Sequence, residues 1–234
     1  MEIKNGTLTL RVATFNIRKG LDVGYEMSLL AERIREADPD IVGLQEVEIL
    51  SDRVGGRDLL QELARAGDYP YFRFVRAMDY RGGFFGSAVM SRLPIVDFEV
   101  MPLAVKEGDE PRAVGHAVVR AAGERIDFFC THFSYKYPEI IDLQAARLHE
   151  LSRAYPCRIL VGDFNTPDLS GVLGALKGTR LVNGGQYLTF TPTPKAIDDI
   201  AADEGWQIRD RGMLEHGGHS DHHLLWADLE RNLP

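Results

Sequence analysis

Arg158-Ile159-Leu160-Val161-Gly162-Asp163-Phe164-Asn165 is an apolar, β-branched run that breaks off in a glycine and two polar side chains. Such a run reads as a buried strand, and the polar pair lies where that strand emerges. Side chains alternate along a strand, so Asp163 and Asn165 face one way while Phe164 faces the packing behind them. A carboxylate able to accept a proton and an amide able to orient a neighbour are thereby mounted on a stiff element. An Asx turn after a strand would leave the same letters, so the rest of the chain decides between the two readings.

Other strand-like runs end in the same fashion. Leu10-Arg11-Val12-Ala13-Thr14-Phe15 leads to Asn16, Ile41-Val42-Gly43-Leu44-Gln45 to Glu46, and Ile126-Asp127-Phe128-Phe129-Cys130-Thr131 to His132. Near the C-terminus, Ser220-Asp221-His222 stands directly before the run His223-Leu224-Leu225-Trp226. If these strands share one end of a sandwich, Asn16, Glu46, His132, Asp163, Asn165, Asp221 and His222 gather in one cleft. That inventory of carboxylates, amides and imidazoles suits divalent-metal phosphoester hydrolysis.

Thr14-Phe15-Asn16-Ile17, Leu44-Gln45-Glu46-Val47, Thr131-His132-Phe133, Gly162-Asp163-Phe164-Asn165, Ile197-Asp198 and Ser220-Asp221-His222 resemble, in order, the motifs of the endonuclease/exonuclease/phosphatase superfamily, the deoxyribonuclease-I-like group. The resemblance runs from about residue 10 to about residue 228. It implies an α+β fold, a four-layer α/β/β/α sandwich of two mostly antiparallel sheets flanked by helices, in one domain over residues 1–234. It also assigns roles. Glu46, helped by Asn16, would hold Mg²⁺ or Mn²⁺, with Asp221 as a second metal or water-network ligand. Asp163 would act as base, Asn165 would hold the attacking water or a phosphate oxygen, and His132 and His222 would donate to the non-bridging oxygens. That last role calls for at least one imidazolium, and Asp198 is the expected partner of His222. Arg112 and Arg18 are the expected phosphate-facing cations.

Composition narrows the partners. With 44% hydrophobic and 26% charged residues the chain is ordinarily globular. A formal net charge of -8 argues against a broad basic surface that grips duplex by phosphate neutralisation. It leaves room for a few local arginines and a metal to bind one scissile phosphate. The N-terminus lacks a basic start leading into an apolar core, and no apolar run approaches membrane-spanning length. The cysteines, Cys130 and Cys157, fall two residues before His132 and six before Asp163. If both motifs share one edge, the thiols are offset by roughly 13 Å, too far for a disulfide. The expectation is a cytoplasmic, monomeric protein with reduced thiols and no membrane span.

Between the motifs, apolar residues at Met27, Leu30, Ala31, Ile34 and Ala37 predict a surface helix stopped by Asp38-Pro39. Further helices are expected over Asp58 to Ala66, Pro138 to Ala154 and Leu169 to Leu176, the last capped by Asp168. Strands are expected at Ser87–Ser91, Ile95–Val100, Ala113–Ala121, Arg125–Cys130, Ile197–Ala201, Trp206–Arg211 and Leu224–Leu229. Ser51 to Arg57 and Asp79 to Phe85 read as loops carrying arginine and aromatic residues beside the cleft. Three positions depart from the family pattern. Ala196 and Asp199 flank the Ile-Asp pair where an arginine and an aromatic are usual, so either Asp198 is supported differently or Asp199 adds negative charge near the cleft. Arg18 stands where some repair nucleases carry an acid, which weakens an abasic-site reading.

The leading function is therefore a Mg²⁺-dependent phosphodiesterase or nuclease acting on a phosphodiester substrate, which includes nucleic acid. A phosphomonoesterase for an inositol phosphate or similar polyanion would lean on Arg18, Lys19, Arg53 and Arg57. A sphingomyelinase-like, lipid-headgroup phosphodiesterase would need an exposed apolar loop, for which Gly83-Phe84-Phe85 is the candidate. A binding module without chemistry is the alternative of another class.

Overall fold

Two strand–helix–strand connections decide which strand ends meet, because each returns the chain parallel to where it left. The computed structural model describes residues 1–4, 6–174, 176 and 178–233. In the first half, β1 (Glu2–Lys4) pairs with β2 (Thr7–Asn16), and α1 (Met27–Ala37) leads to β3 (Ile41–Ile49), parallel to β2. Helix α2 (Leu59–Ala66) and the hairpin of β4 (Tyr71–Tyr80) and β5 (Gly83–Ser91) follow. The second half repeats the plan. After β6 (Ile95–Pro102), β7 (Ala113–Ala121) and β8 (Glu124–His132), α3 (Pro138–Ser152) leads to β9 (Arg158–Asp163), parallel to β8. Then come α4 (Leu169–Gly174), β10 (Thr179–Leu181), β11 (Asp198–Asp203), β12 (Gln207–Leu214) and β13 (Leu224–Asn232).

Among the described residues these strands form two sheets. One has seven strands in the order β12-β13-β2-β3-β5-β4 with β1 attached to β2; the other has six in the order β10-β11-β9-β8-β7-β6. All pairings except β2–β3 and β8–β9 are antiparallel.

Three buried apolar clusters mark the interfaces of a four-layer stack. Leu30, Ile34, Leu60 and Leu63 of α1 and α2 pack on Phe15, Val42 and Leu44 of the first sheet. Leu10, Val12 and Ile41 face Phe128, Ile159 and Val161 between the sheets. Ile141, Ala145 and Leu148 of α3 cover Phe129 and Leu160 on the far side. The α/β/β/α order follows from that succession. Gly43 lies at a close approach of the sheets, since a Cβ there would overlap Val161 and crowd Cys130. Both cysteines are free, and Cys157 lies just before β9 rather than inside it.

The elements differ from expectation in instructive places. β4 was not anticipated, because as an edge strand it is mostly half-exposed and mixes arginines with aromatics instead of alternating cleanly. The stretch 79–85 is a tight hairpin rather than a loop, with Arg81 and Gly82 both at positive φ as a type I′ turn requires. Asp58 caps α2 by accepting from the Gln61 N–H at 3.0 Å, and so lies outside the helix. Helix α3 stops at Ser152, short of Ala154, while Asp168 does cap α4, accepting from Gly171 N–H at 2.9 Å. No helix of the described residues is long and apolar enough to cross a membrane.

Candidate active site

The ends of β2, β8 and β9 and the middle of β3 meet at one rim of the sandwich and floor a cleft of about 470 Å³. Asn16, fully buried, joins the sheets: its amide Nδ2 donates to Asp163 Oδ2 at 3.0 Å and lies 3.4 Å from Glu46 Oε1. Its Oδ1 accepts the Arg18 N–H at 3.0 Å. Glu46 reaches the cleft through a break in the β3–β5 register between Leu44 and Val47, where its own φ is 53°. A left-handed backbone costs a non-glycine residue roughly 1–2 kcal/mol, held here by the surrounding sheet.

Asp163 and Asn165 do face the cleft together, by a different route from strand alternation. β9 ends at Asp163, Asn165 adopts φ 52°, and its N–H donates to Asp163 Oδ1 at 2.9 Å. The Asx turn and the functional site are thus one structure. Phe164 is buried against Phe133 in an edge-to-face contact.

Asp198 pairs with Asp163 across the β11–β9 ladder, which places two buried carboxylates side by side. His222 sits between them, its Nδ1 2.8 Å from Asp198 Oδ2 and its Nε2 3.6 Å from Asp163 Oδ2. The Ser220 hydroxyl donates to Asn16 O at 2.6 Å and accepts from His222 N–H, and the Phe190 ring lies 4.9 Å from the His222 ring. His132 closes the other side: Nε2 is 3.5 Å from Asp163 Oδ2 and 2.9 Å from the Asn165 amide, and Nδ1 is 3.3 Å from Arg112.

These neighbours set distinct charge states. Burial opposes charge on His222, but the facing Asp198 and Asp163 carboxylates outweigh it and lift its pKa to about 10. Burial and then repulsion from Asp198 push Asp163 up to about 7, against the pull of His222 and Asn16. Burial, reinforced by Arg112, His222 and Lys19, drives His132 well below the usual imidazole range, so it is neutral. Glu46 goes the other way: burial disfavours its anion, yet Lys19 and Asn16 together hold its carboxyl below the ordinary value. The site therefore carries one imidazolium, His222.

All ten expected residues lie at or just behind this rim. Arg112 has its guanidinium occupied by His132 and by Glu110 at 3.0 Å, and Arg18 is paired with Asp22 at 2.7 Å and with Asp221 at 3.3 Å. Asp199 adds no charge to the cleft. It is fully buried on the far side of β11 and accepts the backbone N–H groups of Val182, Asn183, Gly184 and Ile200. Phe85 is buried at the cleft wall and Phe84 lies under Arg76 at 4.1 Å, so Gly83-Phe84-Phe85 forms no exposed apolar loop. Nothing in the local sequence marks Lys19 as the partner of Glu46, or Phe190 and Lys195 as cleft-wall residues. Lys19 had counted only as one of several basic loop residues, and Phe190 sits in a proline-spaced segment whose bridge to His222 is a long-range pairing.

Two groups of side chains compete as a cation site. Asp163, Asp198 and His222 bring three ligand atoms within 4.8 Å of one another, but His222 Nδ1 already faces Asp198 Oδ2 at 2.8 Å and the ring is protonated, which leaves it no lone pair for a cation. The side of the cleft at Glu46 and Asp221 offers half-buried carboxylate oxygens that are ion-paired with the basic side chains Lys19 and Arg18. A hard divalent cation fits the second, oxygen-rich set.

No curated protein matches the chain. Among solved structures it is similar to an endonuclease/exonuclease/phosphatase from Beutenbergia cavernae DSM 12333, at 22% identity over 96% of this chain and 72% of that one, with a TM-score of 0.80. It is similar to D. rerio TDP2 complexed with single strand DNA product, at 16% identity over 94% and 98% with a TM-score of 0.74. It is also similar to a mannosyl-6-phosphatase of Bacteroides thetaiotaomicron VPI-5482, at 20% identity over 94% and 99% with a TM-score of 0.70. The model of the Endonuclease/Exonuclease/phosphatase family matches residues 13–222, and the chain belongs to that family of phosphoester hydrolases.

Proposed function

We propose that this protein is a Mg²⁺-dependent phosphodiesterase that hydrolyses a P–O bond by attack of water. The carrying observation is that a single oxygen, Asp163 Oδ2, lies 3.0 Å from the Asn16 amide and 3.5 and 3.6 Å from two imidazoles. A carboxylate raised to about 7 inside such a ring is a base matched to neutral pH. Asp163 accepts the proton of the attacking water as its oxygen bonds to phosphorus, and the bond from phosphorus to the ester oxygen breaks with its electron pair on that oxygen, which takes a proton from solvent. Asn165 holds that water and the His222 imidazolium donates to a non-bridging oxygen, while the neutral His132 ring, flanked by Arg112 and the Asn165 amide, positions Asn165 beside Asp163. Asp198 keeps His222 charged and oriented. Held at Glu46 and Asp221, with Asn16 orienting Glu46, the cation would offset charge on the phosphate and the leaving oxygen.

The preference for a diester rests on the cleft walls. Phe85, Tyr135 and Phe190 present rings beside the anion-binding groups, which suits a second esterified group such as a nucleoside or sugar. The single strand DNA product bound by the D. rerio neighbour supports a nucleic-acid strand as substrate, and the mannosyl-6-phosphatase supports a monoester. The test is to incubate the protein with bis-p-nitrophenyl phosphate, p-nitrophenyl phosphate and a single-stranded oligonucleotide, each with Mg²⁺, Mn²⁺ or EDTA. Metal-dependent turnover of the diester or oligonucleotide is expected. Release from the monoester alone would replace the reading by a phosphatase, and equal rates with metal and EDTA would remove it.

A further inference from the structure

The three-residue turn Arg18-Lys19-Gly20 carries no role in the chemistry above, yet it touches both acids of the oxygen-rich side. Lys19 Nζ is ion-paired with Glu46, and Arg18 Nε lies 3.3 Å from Asp221 Oδ2. The backbone is built for this. Arg18, Lys19 and Gly20 have φ of 45°, 61° and 75°, three successive left-handed residues that turn adjacent side chains onto two carboxylates. Two of the three pay a steric cost that glycine does not. Gly20 is confined by more than φ, because a Cβ there would meet the Met27 side chain at 2.5 Å. Behind Lys19 the ammonium lies 5.3 Å from the centre of the Phe85 ring.

Resting on the metal-dependent reading above, we propose that this turn is a cationic clasp that occupies the metal's carboxylates and hands them over when a phosphate arrives. A divalent cation and the two basic side chains compete for the same oxygens of Glu46 and Asp221. An incoming phosphate offers Lys19 and Arg18 an alternative anion within reach. Drawing them off Glu46 and Asp221 frees those oxygens for the metal. Metal and phosphate then strengthen each other's binding, and each does so by the same factor. The clasp keeps the empty cleft from loading metal without substrate.

The distinguishing experiment is a calorimetric Mn²⁺ titration of the full chain, with and without inorganic phosphate, on the parent protein, Lys19→Met, Lys19→Arg, Arg18→Met and Glu46→Gln. Lys19→Met keeps the length and stem of the side chain and removes only its charge. In the parent, Mn²⁺ affinity is expected to rise about 10-fold when phosphate is present. Lys19→Met should bind Mn²⁺ about 10-fold tighter than the parent without phosphate, and should lose most of the phosphate effect. Arg18→Met should move in the same direction, and Lys19→Arg should restore the parent's behaviour. Unchanged or weaker Mn²⁺ binding by Lys19→Met, alongside its loss in Glu46→Gln, would overturn the clasp and leave the metal site standing. Mn²⁺ binding that ignores Glu46→Gln as well would overturn both.

Discussion

The two sheets contribute strand ends of opposite character to one cleft. From the six-stranded sheet come His132, Asp163 and Asp198, all buried and hydrogen-bonded to one another or through His222. From the seven-stranded sheet come Asn16 and Glu46, and Glu46 is balanced by a lysine on a left-handed turn. The first set is dry and preorganised, which is where a proton can be held at a chosen atom. In the second, Asn16 is buried but Glu46 is half-buried and held by an ion pair with Lys19, which is where an ion can come and go. A phosphoester needs both services at once, and the rim where two parallel strand pairs converge provides them side by side.

The strongest way to break that division is to remove the proton acceptor from the dry side. Asp163→Asn keeps the shape and can still receive a hydrogen bond, but it cannot take a proton. It should lower kcat by about 10³-fold while leaving Mn²⁺ binding intact in calorimetry. A variant that loses metal binding as well would merge the two sets. Removing the exchangeable acid does the converse. Glu46→Gln should weaken Mn²⁺ binding by about 100-fold and leave His222 charged. Its remaining activity should rise with added metal, as a KM-type effect in metal concentration.

The dry side was far more legible in the sequence than the exchangeable one. His132 and Asp163 end apolar runs, so their placement follows from strand periodicity, and Asp198 follows from its motif. Glu46 was legible as a residue, but its left-handed backbone and the register break that aims it were not, because nothing in Leu44-Gln45-Glu46-Val47 marks a bulge. Lys19 escaped assignment because a turn that points a side chain at a carboxylate 27 positions away is a tertiary fact. The same holds for β4, whose place at a sheet edge frees it from the clean alternation that reveals buried strands.

Titration sharpens the comparison further, since the dry side should govern the pH profile. Asp163 must be ionised to act as base, so kcat/KM should rise with a slope of about one as pH increases toward about 7. His222 must stay protonated, so the rate should fall again near pH 10. Asp198→Asn removes the first attraction that raises His222, and should pull the falling limb to lower pH while the rising limb also moves down, because Asp198 repels the Asp163 anion. A profile whose limbs ignore Asp198→Asn would detach these groups from the rate.

The smallest effect is expected next door, at Asp199, which shares a strand with Asp198 but faces the packed side. Burial raises its carboxyl to about 6 from 3.8, against four backbone N–H groups that favour the anion. The sign of its contribution follows from linkage. The folded carboxyl holds its proton to higher pH than the unfolded one, so the fold loses stability as pH climbs from about 4 through about 6. Asp199→Asn cannot ionise and should lack this dependence. Urea unfolding of parent and variant at pH 5 and pH 8 should show the parent losing on the order of 1 kcal/mol more than the variant over that interval. Because the carboxylate is spent on the 182–184 turn rather than on the cleft, kcat/KM at pH 8 should stay within about twofold of the parent. A large kinetic effect at Asp199 with no change in the pH dependence of stability would place its charge in the cleft after all, and the dry side would then extend through the sheet to its packed face.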